Sequence, residues 1–352
     1  MLLDFQLAIC YMVPTARGTA PHAIRDIRKH LNGRRGPMKA VVIETYGGVD
    51  VLQLKDMPVP VVGDRDLLIE VYAASVNPVD WKVREGYLKE MIPHKFPLIL
   101  GWDVAGVVKE TGANAALFRA GDRVFSRTDI ARNGTYAEYV AVDEDLVATM
   151  PDNLSFEEAA SVPLACQTAW QALVETAQVK QGDRVLIHAA SGGVGTFAVQ
   201  IAKNKGAYVA ATCGASNTRL VKSLGADEVI DYTTTDFSEV LHDFDMVLDT
   251  MGGEIYRKSF RILKKGGTVV SLLERPDTSL SLETGTKAEY MFLQPDRNRL
   301  SQIAALLSKG KIKPVLGSVL PLEEVKKAHG ISQSHHAKGK IVLKVKEKQG
   351  EI

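Results

Sequence analysis

The residues Ala189-Ala190-Ser191-Gly192-Gly193-Val194-Gly195 follow an apolar strand pattern that begins at Arg184. They precede a helical pattern from Thr196 to Lys205, with Gly206 as its stop. Small residues between a strand and a helix serve a defined chemistry. They permit a tight turn, let the backbone approach a pyrophosphate, and leave the first N–H groups of the helix to bind phosphate. In the frame Gly-x-Gly-x-x-Gly, Ala190 takes the first place, while Gly192 and Gly195 keep theirs. Alone the motif is a weak signal. With a strand before it and a helix after it, the segment reads as a dinucleotide loop in which Ser191, Gly192, Gly193, Val194 and Gly195 meet the cofactor.

An acid about 20 residues beyond such a loop would hydrogen-bond the adenosine ribose of NAD. No acid occurs between Gly206 and Asp227; Ser216, Asn217, Arg219 and Lys222 stand there instead. Hydrogen bonds and positive charge from these side chains suit a 2′-phosphate, so the expected cofactor is NADPH. Arg219 and Lys222 also fit a plain solvated helix face.

The elements that must carry this loop can be read around it. Strand and helix patterns alternate from residue 183 to 273: Tyr208 to Cys213, Thr218 to Leu224, Glu228 to Tyr232, Asp245 to Asp249, a helix from Ile255 to Leu263 ended by Gly266-Gly267, and a strand from Thr268 to Leu273. That rhythm is α/β, a doubly wound parallel sheet. From Met38 to about Asn153 the text changes to short strands broken by Gly, Pro and Asp, including Leu67 to Ala74, Asp103 to Val108, and a turn at Gly121-Asp122 entering a third; this predicts a barrel-like all-β domain. Ser155-Phe156-Glu157-Glu158 is a capping box opening a helix. After residue 289 come a helix from Asp296 to Ser308 and a last strand, Lys340 to Val345.

Composition sets the outer limits. A length of 352 residues allows about two domains. With 45% hydrophobic and 24% charged residues the chain buries a large core, which excludes disorder over most of its length. A net charge of +1 gives no global attraction to nucleic acid or an anionic membrane, so neither is expected as a partner. The charge is uneven: residues 1–37 hold six basic and two acidic side chains, and the rest sums to −3. We read residues 1–37 as an appendage outside the fold: an upstream-start artefact, a basic targeting segment or an extra arm, the first being preferred. Cys10, Cys166 and Cys213 are too few and too scattered for a disulfide framework or a four-thiolate zinc lobe. A reducing, cytoplasmic setting is expected.

Several motifs now line up in order: Ser75-Val76-Asn77-Pro78-Val79-Asp80, Gly101 to Val108, Gly121-Asp122-Arg123-Val124, Gly134-Thr135-Tyr136-Ala137-Glu138-Tyr139, Leu164 to Trp170, the glycine loop and Leu224-Gly225-Ala226-Asp227. Together they resemble the medium-chain dehydrogenase/reductase superfamily from Met38 to about Val345, in its zinc-independent quinone oxidoreductase (zeta-crystallin-like) and enone oxidoreductase branch. The resemblance implies a GroES-like β-barrel catalytic domain from residues 38–160 and 290–346, an inserted Rossmann domain at residues 161–289, and a homodimer. It implies a nicotinamide site using Thr168, Leu272, Leu273 and Phe292, with Tyr232 close to the adenosine phosphate. Asn77 resembles the family's Asn beside nicotinamide and substrate carbonyl, though it also fits a helix cap. Lys82 matches a position where enone reductases of the branch have Lys, although it also fits surface charge. Trp81 and Trp102 fit either an aromatic wall or the core.

Zinc enzymes of the superfamily would place Cys near Pro78 to Asp80 and a His-Glu pair near Trp102-Asp103; this sequence has neither, and His335-His336 reads as a solvated pair. No metal is expected. Hydride transfer without a Lewis acid requires an acceptor already electrophilic, a quinone or an α,β-unsaturated carbonyl, whose nascent oxyanion needs hydrogen bonds or positive charge. The resemblance thus implies an NADPH-dependent reductase of quinones or enones. Enoyl-thioester reduction and a non-catalytic, crystallin-like NADPH-binding protein remain the alternatives.

Overall fold

The structure, a computed structural model, describes residues 36–347. The reading of residues 1–37 as an appendage therefore lies outside the described residues, Gly36 and Pro37 aside.

The first part of the chain is β-rich. It runs through β1 (Met38–Ile43), β2 (Gln53–Met57), β3 (Asp66–Val76), the short helix α1 (Pro78–Arg84) and β4 (Leu98–Ile99). Then come β5 (Asp103–Thr111), β6 (Arg123–Arg127), β7 (Tyr139–Asp143) and β8 (Val147–Thr149). Strand β3 is the spine. It is buried almost throughout, and it pairs antiparallel with both β5 and β7. Two helices follow: α2 (Phe156–Ala160) with the expected capping box at Ser155 and Glu158, and α3 (Pro163–Trp170).

The second part alternates: β9 (Arg184–Ile187), α4 (Gly193–Asn204), β10 (Tyr208–Cys213), α5 (Thr218–Ser223), β11 (Glu228–Asp231), α6 (Phe237–Val240), β12 (Phe244–Asp249) and α7 (Gly253–Ser259). It closes with β13 (Leu263–Ser271), α8 (Thr278–Thr284) and β14 (Lys287–Tyr290). The six strands make one parallel sheet in the order β11-β10-β9-β12-β13-β14. Val185, Leu186 and Ile187 are fully buried, as a strand covered by helices on both faces must be.

The chain then returns through α9 (Arg297–Ser308), β15 (Leu316–Pro321) and α10 (Val325–Gln333) to β16 (Lys340–Lys344). Strand β16 pairs antiparallel with β3, so the end of the fold joins the sheet of its beginning: β15-β16-β3-β5-β6-β8 with β7 on β3. The architecture is α/β, a GroES-like barrel part with an inserted Rossmann sheet.

Several boundaries differ from the sequence reading, two of them at glycines. Helix α4 starts at Gly193 rather than Thr196, because the glycines of the turn already form its first turn. Gly266-Gly267 does not separate a helix from a strand. It lies inside β13, where Gly266 takes φ +81° and the pairing with β12 skips from Phe244↔Leu263 to Met246↔Thr268, a bulge.

Candidate active site

The glycine loop sits at the carboxyl end of β9, with Gly192 as the N-cap of α4 and no side chain capping it. Gly195 must be glycine: a Cβ there would lie 2.4 Å from the Ala189 carbonyl oxygen and 2.6 Å from the Ala190 Cα. The helix thus packs directly on the strand end, and its open amide groups face a cavity of about 200 Å³ lined by Asn77, Gly192, Gly193, Val194, Gly195 and Lys340, among others. Ser191 contributes backbone, its carbonyl accepting a hydrogen bond from Gly339 N–H at 2.7 Å. That bond ties the loop to the strand entering β16.

Asn77 is buried, and its amide is locked. Its Nδ2 donates to Asp103 Oδ2 at 2.9 Å, while its Oδ1 accepts from Lys340 Nζ in a very short contact. Asn77 is also the N-cap of α1, and Asp80, three residues on, accepts from the Asn77 N–H at 2.8 Å as the reciprocal half of a capping box. The Asp103 carboxylate also takes Ser75 Oγ and the Leu164 N–H, both at 2.9 Å, so β3, β5 and α3 meet on one acid. Burial lowers the Lys340 ammonium from its ordinary value, and Asp103 and Asp80 pull the other way. Burial drives Asp80 up to about 7, against hydrogen bonds from Asn77 and Tyr136.

A second cavity, about 350 Å³, adjoins the first across Pro78, Leu164, Val194, Thr250 and His335. Lys82, Thr168, Leu272, Leu273 and Phe292 all line it. Lys82 is half-buried on α1, its Nζ 5.8 Å from the Trp81 ring centre, and desolvation weakens its hold on a proton. Thr168 spends its hydroxyl proton on the Leu164 carbonyl at 2.7 Å, one turn earlier. Trp81 lines the cavity, whereas Trp102 is fully buried in the core beside it.

Ser216, Asn217 and Arg219, beyond the carboxyl end of β10, and Tyr232, just after β11, do not line either cavity. Tyr232 leans over Gly214, its hydroxyl 3.5 Å from where a Cβ would stand. Ser216, Arg219 and Lys222 are exposed to solvent.

Sequence reasoning missed Arg127, Lys340 and His335, which also line these cavities. The two basic residues sit in ordinary strand patterns. His335 had been set aside as solvated; it is exposed, yet it faces both cavities at φ +59°, a left-handed conformation costly for a side chain with a Cβ.

The residues do not fit zinc. Among the described residues no three His, Cys, Asp or Glu side chains gather as a metal could use. Asp103 already accepts three hydrogen bonds, and the fully buried Cys166 thiol is pushed far above its usual range by desolvation.

With this geometry in hand, residues 63–152 match the alcohol dehydrogenase GroES-like domain, and residues 224–343 a family described as zinc-binding dehydrogenase. The mitochondrial NAD(P)H oxidoreductase RTN4IP1 of Danio rerio is 34% identical, over 90% of this chain and 94% of its own. The chloroplastic NADPH-dependent alkenal/one oxidoreductase of Arabidopsis thaliana is 36% identical, over 87% and 79%. The solved quinone oxidoreductase of Coxiella burnetii superposes with a TM-score of 0.82 at 35% identity, over 88% and 99%.

These relatives correct one expectation. Few and scattered cysteines suggested a reducing, cytoplasmic setting, but the two relatives named are organellar proteins. Three scattered cysteines report only a reducing milieu, which organelle interiors share. By the order of its domains, its glycine loop and these similarities, the chain belongs to the medium-chain dehydrogenase/reductase superfamily, in the branch of quinone and enone oxidoreductases that use NAD(P)H.

Proposed function

We propose that the chain is a zinc-independent reductase that uses NADPH to reduce quinones or α,β-unsaturated carbonyl compounds. The observation that carries this reading is the pair of adjoining cavities: one under the open end of α4, the other largely apolar with Lys82 in its wall. The residues found fit a dinucleotide, since Gly195 brings the helix start against the strand end where a side chain would keep it away. The bound cofactor supplies the hydride.

The chain's own groups supply the rest. The ammonium of Lys82 faces a cavity where a substrate carbonyl oxygen gains negative charge, and one cation in a dry site stabilises such an oxyanion strongly. Its lowered proton affinity also suits handing a proton to that oxygen. Asn77, held by Asp103 and Lys340, cannot flip its amide, so the floor of the cofactor cavity stays fixed. We assign Ser216, Asn217 and Arg219 as donors to the 2′-phosphate of NADPH, and Tyr232 to the adenosine side, on the absence of an acid between Gly206 and Asp227.

The test is Lys82→Met. We expect kcat to fall about 100-fold, the scale of one lost oxyanion donor or proton relay, with NADPH affinity within about twofold of the wild type. An unchanged kcat removes Lys82 from the chemistry.

A further inference from the structure

The acceptor cavity has an electrostatic character that the reduction of a neutral enone does not need. Lys82, Arg127 and His335 line it, and no aspartate or glutamate among the described residues does. Arg127 is the last residue of β6 and only 4% exposed. Its guanidinium lies 5.9 Å from the ring centre of Trp102. Its Nη1 donates to the Thr128 carbonyl at 2.6 Å. Its Nε is buried with no hydrogen-bond partner among the described residues. Nor does any described carboxylate form a salt bridge with it. Burial weakens its charge, while Asp103, Asp80 and Asp129 support it from beyond salt-bridge distance; Asp103 is engaged by Ser75, Asn77 and Leu164, Asp80 Oδ2 by Asn77 and Tyr136, and Asp129 Oδ1 by the Ala131 N–H.

A buried cation without a direct partner is expensive, and arginine offers a planar fork of donors matched to a carboxylate. The contact with Trp102 takes no N–H and the Thr128 carbonyl takes Nη1, so Nη2 is the donor left for a ligand. The pyrophosphate of a dinucleotide is not the missing anion, since Arg127 does not line the cavity beneath the glycine loop.

We propose that Arg127 recognises a carboxylate on the acceptor, so that the substrate class is enones or quinones bearing an acid group. This rests on the reductase reading above. The carboxylate is a handle held away from the reacting carbons and takes no part in bond making, while Lys82 remains the partner of the carbonyl oxygen. Leu88, Met91, Leu272 and Phe292 supply an apolar wall for the carbon skeleton between them.

The experiment compares a linear enone carrying a terminal carboxylate with its methyl ester. The wild type should favour the acid in kcat/KM by about 10- to 100-fold, the scale of a hydrogen bond to a charged group. Arg127→Met should bring that ratio close to one, and Arg127→Lys should leave it intermediate, with NADPH titration of each variant reporting a folded protein. A wild-type ratio at or below one overturns the proposal even if the variants fail to fold, as does an unchanged ratio in Arg127→Met. Calorimetry with the saturated acid and NADP⁺ separates this proposal from the one beneath it. Arg127-dependent binding without turnover of any acceptor would sink the reductase and keep the anion site. Equal turnover of acid and ester would do the reverse.

Discussion

At the residue scale the site depends on groups that tolerate no substitute. Gly195 is the sharpest case. Its missing side chain is what allows α4 to start against the end of β9, since an added Cβ meets backbone atoms at 2.4 and 2.6 Å. Backbone cannot rotate away as a side chain would, so the helix start itself must move. Gly195→Ala should cost about 1–3 kcal/mol of stability, the range for overpacking, and weaken NADPH binding at least tenfold. Fluorescence titration and urea denaturation read both; a variant that binds NADPH as tightly as the wild type contradicts the role given to this turn. The same scale explains Asn77, whose amide is oriented by an acid and a lysine that the chain brings from Asp103 and Lys340.

At the scale of elements, two buried histidines join segments of the fold, and burial holds both neutral. Nδ1 of His329 on α10 receives Arg84 Nη1 of α1 at 3.1 Å, which places its proton on Nε2. His188, just past β9, reaches Thr212 Oγ1 at 3.0 Å on β10 and Ser259 Oγ at 3.1 Å on α7. Burial drives both imidazoles down to about 3 from an ordinary 6.5, with the Arg84 charge adding to the effect at His329. In acid the unfolded chain therefore binds two protons that the folded chain refuses. Asp80 opposes them, since its carboxyl, raised to about 7, keeps a proton in the fold that the unfolded chain releases. Unfolding thus takes up about a quarter of a proton at pH 6.5 and about one by pH 5, so these three groups together lower stability by about 1 kcal/mol for each unit of acidification across that interval. Urea midpoints measured across that interval check the sign. Stability that is flat or rises on acidification would show that the histidines are not held neutral.

At the scale of the whole molecule, the order of domains was legible because each has its own sequence rhythm. Short strands with Gly and Pro turns marked the barrel, and alternation marked the parallel sheet. The glycine loop was legible because its chemistry is local. What stayed hidden was long-range. Arg127 follows Val124-Phe125-Ser126 in an ordinary strand, and nothing nearby shows that its guanidinium ends in the acceptor cavity without a carboxylate partner. Lys340 opens a β-branched strand and looks like surface charge until β16 is seen to pair with β3 and bring it beneath Asn77. Gly266-Gly267 looked like a helix stop because a bulge inside a strand uses the same residues.

Two cavities meet at Pro78, Val194 and Thr250, and our central proposal is that they bring a nicotinamide cofactor and an activated acceptor together without a metal. The most direct measurement is steady-state cofactor oxidation by chelator-dialysed protein with a set of quinones and linear enones, using NADPH and NADH in parallel. The expected result is acceptor-dependent oxidation that survives removal of metal, with kcat/KM at least tenfold higher for NADPH than for NADH, on the scale of charged hydrogen bonds to the 2′-phosphate. No acceptor-dependent oxidation with any member of the set, or activity that returns only with added zinc, would contradict the account.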